Sequence, residues 1–163
     1  MESPKIDDLD YERYFINIED LTEILRDLSR NYCKDNCPIS GIIKCCGYDH
    51  HKHSLPETIL NNQESEAISK GWIFHNEEDR CRYHSDSGCS LTKTISPICI
   101  GYFCSDLTNY LTNNSKDKEL MNEFLESIGI VRMSSRFDYQ FNRINYYLED
   151  TIQLGRKILE NSK

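Results

Sequence analysis

The stretch YFINIEDLTEILRDLSRNYC, residues 14–33, sets Tyr14, Ile18, Leu21, Leu25, Leu28 and Tyr32 at intervals of 4, 3, 4, 3 and 4 residues. A 3.6-residue repeat brings such positions onto one stripe, so the spacing predicts an amphipathic helix. Glu12, Arg13, Glu19, Glu23, Arg26 and Asp27 fall on its polar face. The last residue of the stretch, Cys33, is also the first of eight cysteines. The helix therefore delivers its C-terminal end to whatever the cysteines build.

All eight cysteines lie between residues 33 and 104, in the order Cys33, Cys37, Cys45, Cys46, Cys81, Cys89, Cys99 and Cys104. Thiolates are soft ligands that select zinc or iron–sulfur clusters, and grouping along the chain is how several reach one point. The Met1–Asp8 segment has neither the basic nor the apolar region of a secretory signal. A cytoplasmic protein is expected, and in a reducing compartment dense cysteines bind metal or take part in catalysis rather than form structural disulfides.

The chain of 163 residues is read as one domain, with a cysteine core at 33–104 and flanking helices at 1–32 and 105–163. Its net charge of −8 and scattered Lys and Arg argue against nucleic acid, whose binders neutralise phosphates with a basic patch. The same acidity disfavours anionic membranes, and no apolar run is long enough to span a bilayer. The partners left are a protein or a small molecule.

Downstream of the first four cysteines, Ser54-Leu55-Pro56-Glu57 has the form of a capping box, predicting a helix over 55–70 closed at Lys70-Gly71. Trp72–His75 reads as a short strand. Arg80–His84 and Cys89–Thr92 flank the polar turn Ser85-Asp86-Ser87-Gly88, which suits a β-hairpin. Beyond Cys104 the pattern is helical again. Leu107, Tyr110 and Leu111 open one helix; Leu120, Phe124, Leu125 and Ile128 form a second stripe, ended by Gly129. Phe137, Phe141, Ile144, Leu148, Ile152 and Ile158 predict a long last helix, with Phe141 near the Tyr146-Tyr147 aromatics and Gly155 suited to a close helix crossing. The expected fold is mainly α with a small β-hairpin element, a helical shell around a cysteine-rich metal-binding centre.

The Cys45-Cys46 pair resists a single four-ligand site, because neighbouring side chains diverge on an extended backbone. His50, His51 and His53 follow the pair and offer nitrogen ligands or a base, as does His84 on the predicted hairpin; a solvated loop explains them equally well. A tetrahedral zinc site and a four-iron cluster each take four cysteines, and the spacing admits both.

Taken in order, Cys33, Cys37, Cys45-Cys46, the helix, Cys81, Cys89, Pro97-Ile98-Cys99 and Phe103-Cys104 resemble the bacterial cysteine-cluster proteins of the YkgJ type, a zinc- or iron-chelating CxxCxxCC domain. The resemblance covers residues 33–104. It departs from the family in the wider spacing of the first cysteines and in Ser96 and Ile100, where the family tends to carry arginines. The domain is also distantly similar to the cysteine-rich part of flagellin lysine methylase. What this implies is a [4Fe-4S] cluster ahead of zinc, held by Cys33, Cys37, Cys81, Cys89, Cys99 and Cys104 with Cys45 and Cys46. The alternatives are an enzyme of the methylase type acting on a peptide or small substrate, and a thiol redox switch or metal-handling protein. No methyl-donor motif accompanies the cysteines, so the sequence leaves open whether the chain is an enzyme.

Overall fold

The computed structural model describes residues 8–36, 55–74, 81–85, 88–100, 102–137 and 140–163. Helix α1, Asp8–Asn36, carries the stripe that opened the sequence reading. Tyr14, Ile18 and Leu21 are fully buried and Leu25 nearly so, while Leu28 and Tyr32 are half-buried towards its end. Helix α6, Phe141–Asn161, buries Phe141, Ile144, Leu148, Ile152 and Ile158 against it. Helix α5, Lys118–Phe137, completes the central layer.

Polar contacts set how these three helices run. Arg13 pairs with Glu149, and seven residues further along both helices Arg156 donates to Asp20 at 2.9 Å, so α1 and α6 run parallel and in step. Ser127 meets Thr151, and Phe124 lies beside Gly155, so α5 runs antiparallel to α6. Gly155 marks the closest approach. A methyl group there would sit 2.6 Å from Cγ2 of Ile24 and 3.0 Å from the Phe124 ring, so only glycine fits without displacing its neighbours.

Three local expectations are revised. Gly129 does not end a helix but lies inside α5, because burial of Ile128 and Val131 on either side outweighs the roughly 1 kcal/mol that an interior glycine costs. Phe137 accordingly closes α5 rather than opening the last helix. Phe141 sets its ring edge against Tyr11 and Tyr14 of α1, at 5.4 and 5.2 Å, and not against Tyr146-Tyr147, which lie on other faces of α6. Helix α2, Glu57–Ser69, starts after an N-cap at Pro56 with no side-chain cap, so Glu57 is its first residue; Ser54, the hydroxyl of the expected capping box, lies outside the described residues. The C-terminus follows the expectation. Gly71 adopts φ 69°, its N–H bonds Ile68 O, and Trp72 N–H bonds Ala67 O, the Schellman closure.

The expected fold class needs one correction. Its helical part stands, with two short helices, α3 at Pro97–Ile100 and α4 at Ser105–Asn114, added to α1, α2, α5 and α6. The β-hairpin element does not form as a layer: among the described residues strand pairing is limited to His84 with Cys89 and Ser85 with Gly88, and Trp72–Phe74 is irregular. The reason lies in where the next backbone groups bond. Ser90 N–H still reaches Tyr83 O at 2.8 Å, but from Leu91 to Thr94 they meet side chains of α1 and α2 instead of a strand partner. Among the described residues the largest fully buried side chains are Tyr14, Phe124, Ile18, Leu21, Ile59 and Leu91, an apolar core that also takes in Cys81. Among the described residues no helix is long and apolar enough to cross a membrane.

Candidate metal centre

Five of the predicted ligands fall on described elements, around the C-terminal half of α1. Cys33 is half-buried near the end of α1; Tyr32 beside it stacks on Tyr110 of α4, ring centroids 4.7 Å apart. Cys81 is buried just before the short ladder, and Cys89 lies within it. Cys99 sits on α3, which packs on α1 and α5, and Cys104 is the N-cap of α4. No disulfide joins any two of these five. Cys37, Cys45, Cys46, His50, His51, His53 and His75 lie outside the described residues, as does the His84 side chain.

Three of the sulfurs have a backbone N–H acting on them. That of Tyr83 acts to lower the pKa of the Cys81 thiol and that of Leu91 to lower that of Cys89, and the N–H of Leu107 donates to Cys104 Sγ at 3.4 Å as the N-cap bond of α4. In the first two the donor lies two residues beyond the cysteine, a turn that wraps the chain around its own sulfur. Amide hydrogen bonds of this kind favour the charged form of sulfur. Burial acts the other way and dominates: it pushes the Cys89 thiol up to about 11, with neighbouring Cys81 adding to the rise and Arg26 opposing it. Cys81 is likewise raised, chiefly by burial. Cys81 and Cys89 are thus close enough to feel one another. Among the described residues no group of three or more His, Cys, Asp or Glu is placed to hold a metal ion.

The segment after Cys89 is held by side chains from two helices. Arg26 of α1 donates to Cys89 O at 3.2 Å and Leu91 O at 3.5 Å. Lys70 of α2 donates to Ser90 O at 3.0 Å. Glu66 of α2 accepts the N–H of Thr92 at 2.7 Å, of Lys93 at 3.2 Å and of Thr94 at 3.0 Å, together with both threonine hydroxyls. Gln63 donates to Thr94 O at 2.9 Å. Every residue from Cys89 to Thr94 therefore has a backbone group bound to a helix side chain. Burial pushes the Glu66 carboxyl up, but the hydrogen bonds from Lys70, Thr94 and Thr92 outweigh it and hold the group at about 2.

Sequence reading missed Glu66, Gln63 and Arg26 as parts of this arrangement. A signal existed: Ile59, Gln63 and Glu66 recur at helical spacing with Ala67 on the buried face of α2. Two polar residues on a buried stripe call for partners. Compared with known proteins, the chain matches no family model, no curated protein and no solved structure.

Proposed function

We propose that this chain binds a transition-metal centre through its cysteines. The observation that carries the reading is that Cys81 and Cys89 come close enough to interact, each with a backbone N–H two residues on that favours its charged form. A buried thiol that only fills space needs no such donor, whereas a metal-bound thiolate keeps its charge and is oriented by one. Cys33 stands on α1 and Cys99 on α3, which packs on α1. Cys37, Cys45 and Cys46 complete the proposed ligand set.

The resemblance to the YkgJ-type cysteine-cluster proteins favours a [4Fe-4S] cluster over zinc, and the ligand chemistry suits either. Such a centre would supply redox or Lewis-acid chemistry or a structural clamp. The protein's own contribution is to hold buried sulfurs in place and keep water from them. A reducing, cytoplasmic setting belongs to this reading because it keeps the thiols available.

The test is purification under anaerobic conditions, followed by a visible spectrum and elemental analysis for iron, acid-labile sulfide and zinc. A brown protein with iron and sulfide in equal amounts supports the cluster; a colourless protein with bound zinc supports the zinc alternative. A protein free of both metals, with all its thiols open to alkylation, would overturn the proposal.

A further inference from the structure

Glu66 stands on α2, away from any cysteine in sequence, and yet it gathers three successive amides and two hydroxyls from the 92–94 segment. That segment joins Cys89 to Cys99. With Arg26 fixing the carbonyls of Cys89 and Leu91, Lys70 that of Ser90 and Gln63 that of Thr94, six consecutive residues are anchored by helix side chains, and the last four, Leu91 to Thr94, have no strand partner. Four polar side chains from two helices thus define an irregular backbone path. A path of this kind has one evident consequence: it sets where Cys89 begins its turn and how the chain enters α3, which carries Cys99.

We propose that Glu66 is a positioning residue for the metal centre, holding the Cys89–Cys99 connection in its ligand-presenting conformation. This rests on the metal-binding reading above. Glu66 touches no sulfur; it acts through Thr92, Lys93 and Thr94. Glutamine is close to its shape but replaces one carboxylate oxygen by an NH2 group, which confronts amide and hydroxyl donors with another donor. Partners one step removed from a metal ligand commonly alter affinity by about ten- to a hundredfold when changed.

The experiment compares wild type, Glu66→Gln and Asn145→Ala, each purified anaerobically with its metal and then mixed with excess chelator. Asn145 lies on α6 and bonds Asn17 and Asp10 rather than the 89–94 segment, and serves as a variant destabilised at other contacts. The expected result is metal release at least about tenfold faster from Glu66→Gln than from Asn145→Ala. Equal release from the two variants would overturn the proposal and reduce Glu66 to a structural clasp. A parallel arm on metal-free protein follows alkylation of individual cysteines by peptide mass spectrometry. There Cys89 and Cys99 are expected to react faster in Glu66→Gln, with Cys104 unchanged; uniform acceleration of all three contradicts positioning. If wild type proves to hold no metal, the metal-binding reading fails, and the alkylation arm alone still decides whether Glu66 positions Cys89. Thr94→Val, which removes one hydroxyl donor and leaves the amides, is the milder variant should Glu66→Gln not fold; acceleration in the same direction supports the proposal and none opposes it.

Discussion

Glu66 keeps its charge in a place where only 9% of its side chain is exposed, because its hydrogen-bond donors replace the water it lost. Its folded-state pKa of about 2 lies below the ordinary 4.5. A carboxyl depressed on folding contributes stability that is complete above its unfolded pKa and is lost as the pH falls towards the folded one. The contribution is on the order of 3 kcal/mol at neutral pH and fades between about pH 4.5 and 2. Urea denaturation at a series of pH values is expected to show this loss in wild type. Glu66→Gln should be weaker at pH 7 by about 2–3 kcal/mol, with a shallower fall in acid. Asn145 offers a second case. Its side chain bridges Asn17 Nδ2 at 3.2 Å and the carbonyl of Asp10 at 2.8 Å, fully buried between α1 and α6. Asn145→Ala leaves both partners unanswered and is expected to cost about 1–3 kcal/mol in denaturant unfolding. The exposed Arg13–Glu149 pair beside it, open to solvent, should matter less than Asn145. None of these pairings can be seen in sequence, since each joins residues distant along the chain. What sequence did offer was the anomaly of polar Gln63 and Glu66 on a buried stripe.

At the scale of elements, helices were legible and their ends were not. The stripes of α1 and α6 are fixed by apolar spacing that burial then enforces, so Tyr14, Ile18, Leu21, Ile144, Leu148 and Ile152 fall in the core as their periodicity implies. Boundaries depend on weaker terms of about 1 kcal/mol, which tertiary packing overrides; hence α5 runs through Gly129 and α2 begins after Pro56. The hairpin failed for a different reason. Short-range pattern shows which residues can turn, but not that α2 would supply acceptors for Thr92–Thr94. Gly155 was legible as a candidate for close packing, and its neighbours now give a magnitude. Gly155→Ala gains helix propensity, worth about 1 kcal/mol, but forces its methyl onto β-branched Ile24, whose rotamer is stiff on a helix, and overpacking costs about 1–3 kcal/mol. A net loss of thermal stability is expected, and an unchanged or raised melting temperature would show that α1 shifts to make room.

For the whole molecule, the apolar make-up of the helical core has a direct consequence. Tyr14, Phe124, Ile18 and Leu21 bury an apolar centre in which Cys81 shares and against which Cys33, Cys89, Cys99 and Cys104 are half-buried. Metal removal should therefore leave the α1–α5–α6 layer standing, with most of the far-ultraviolet helical signal retained after chelation. This contrasts with small zinc domains, which unfold when stripped. The central claim is that the cysteines hold a metal, and the amides facing Cys81 and Cys89 single those two out. It is tested most directly by elemental analysis of anaerobically purified wild type beside a Cys81→Ser, Cys89→Ser double variant. The account predicts bound iron or zinc in wild type and its loss from the variant, with helical content preserved. Metal retained undiminished in the variant, or absent from wild type, would contradict it.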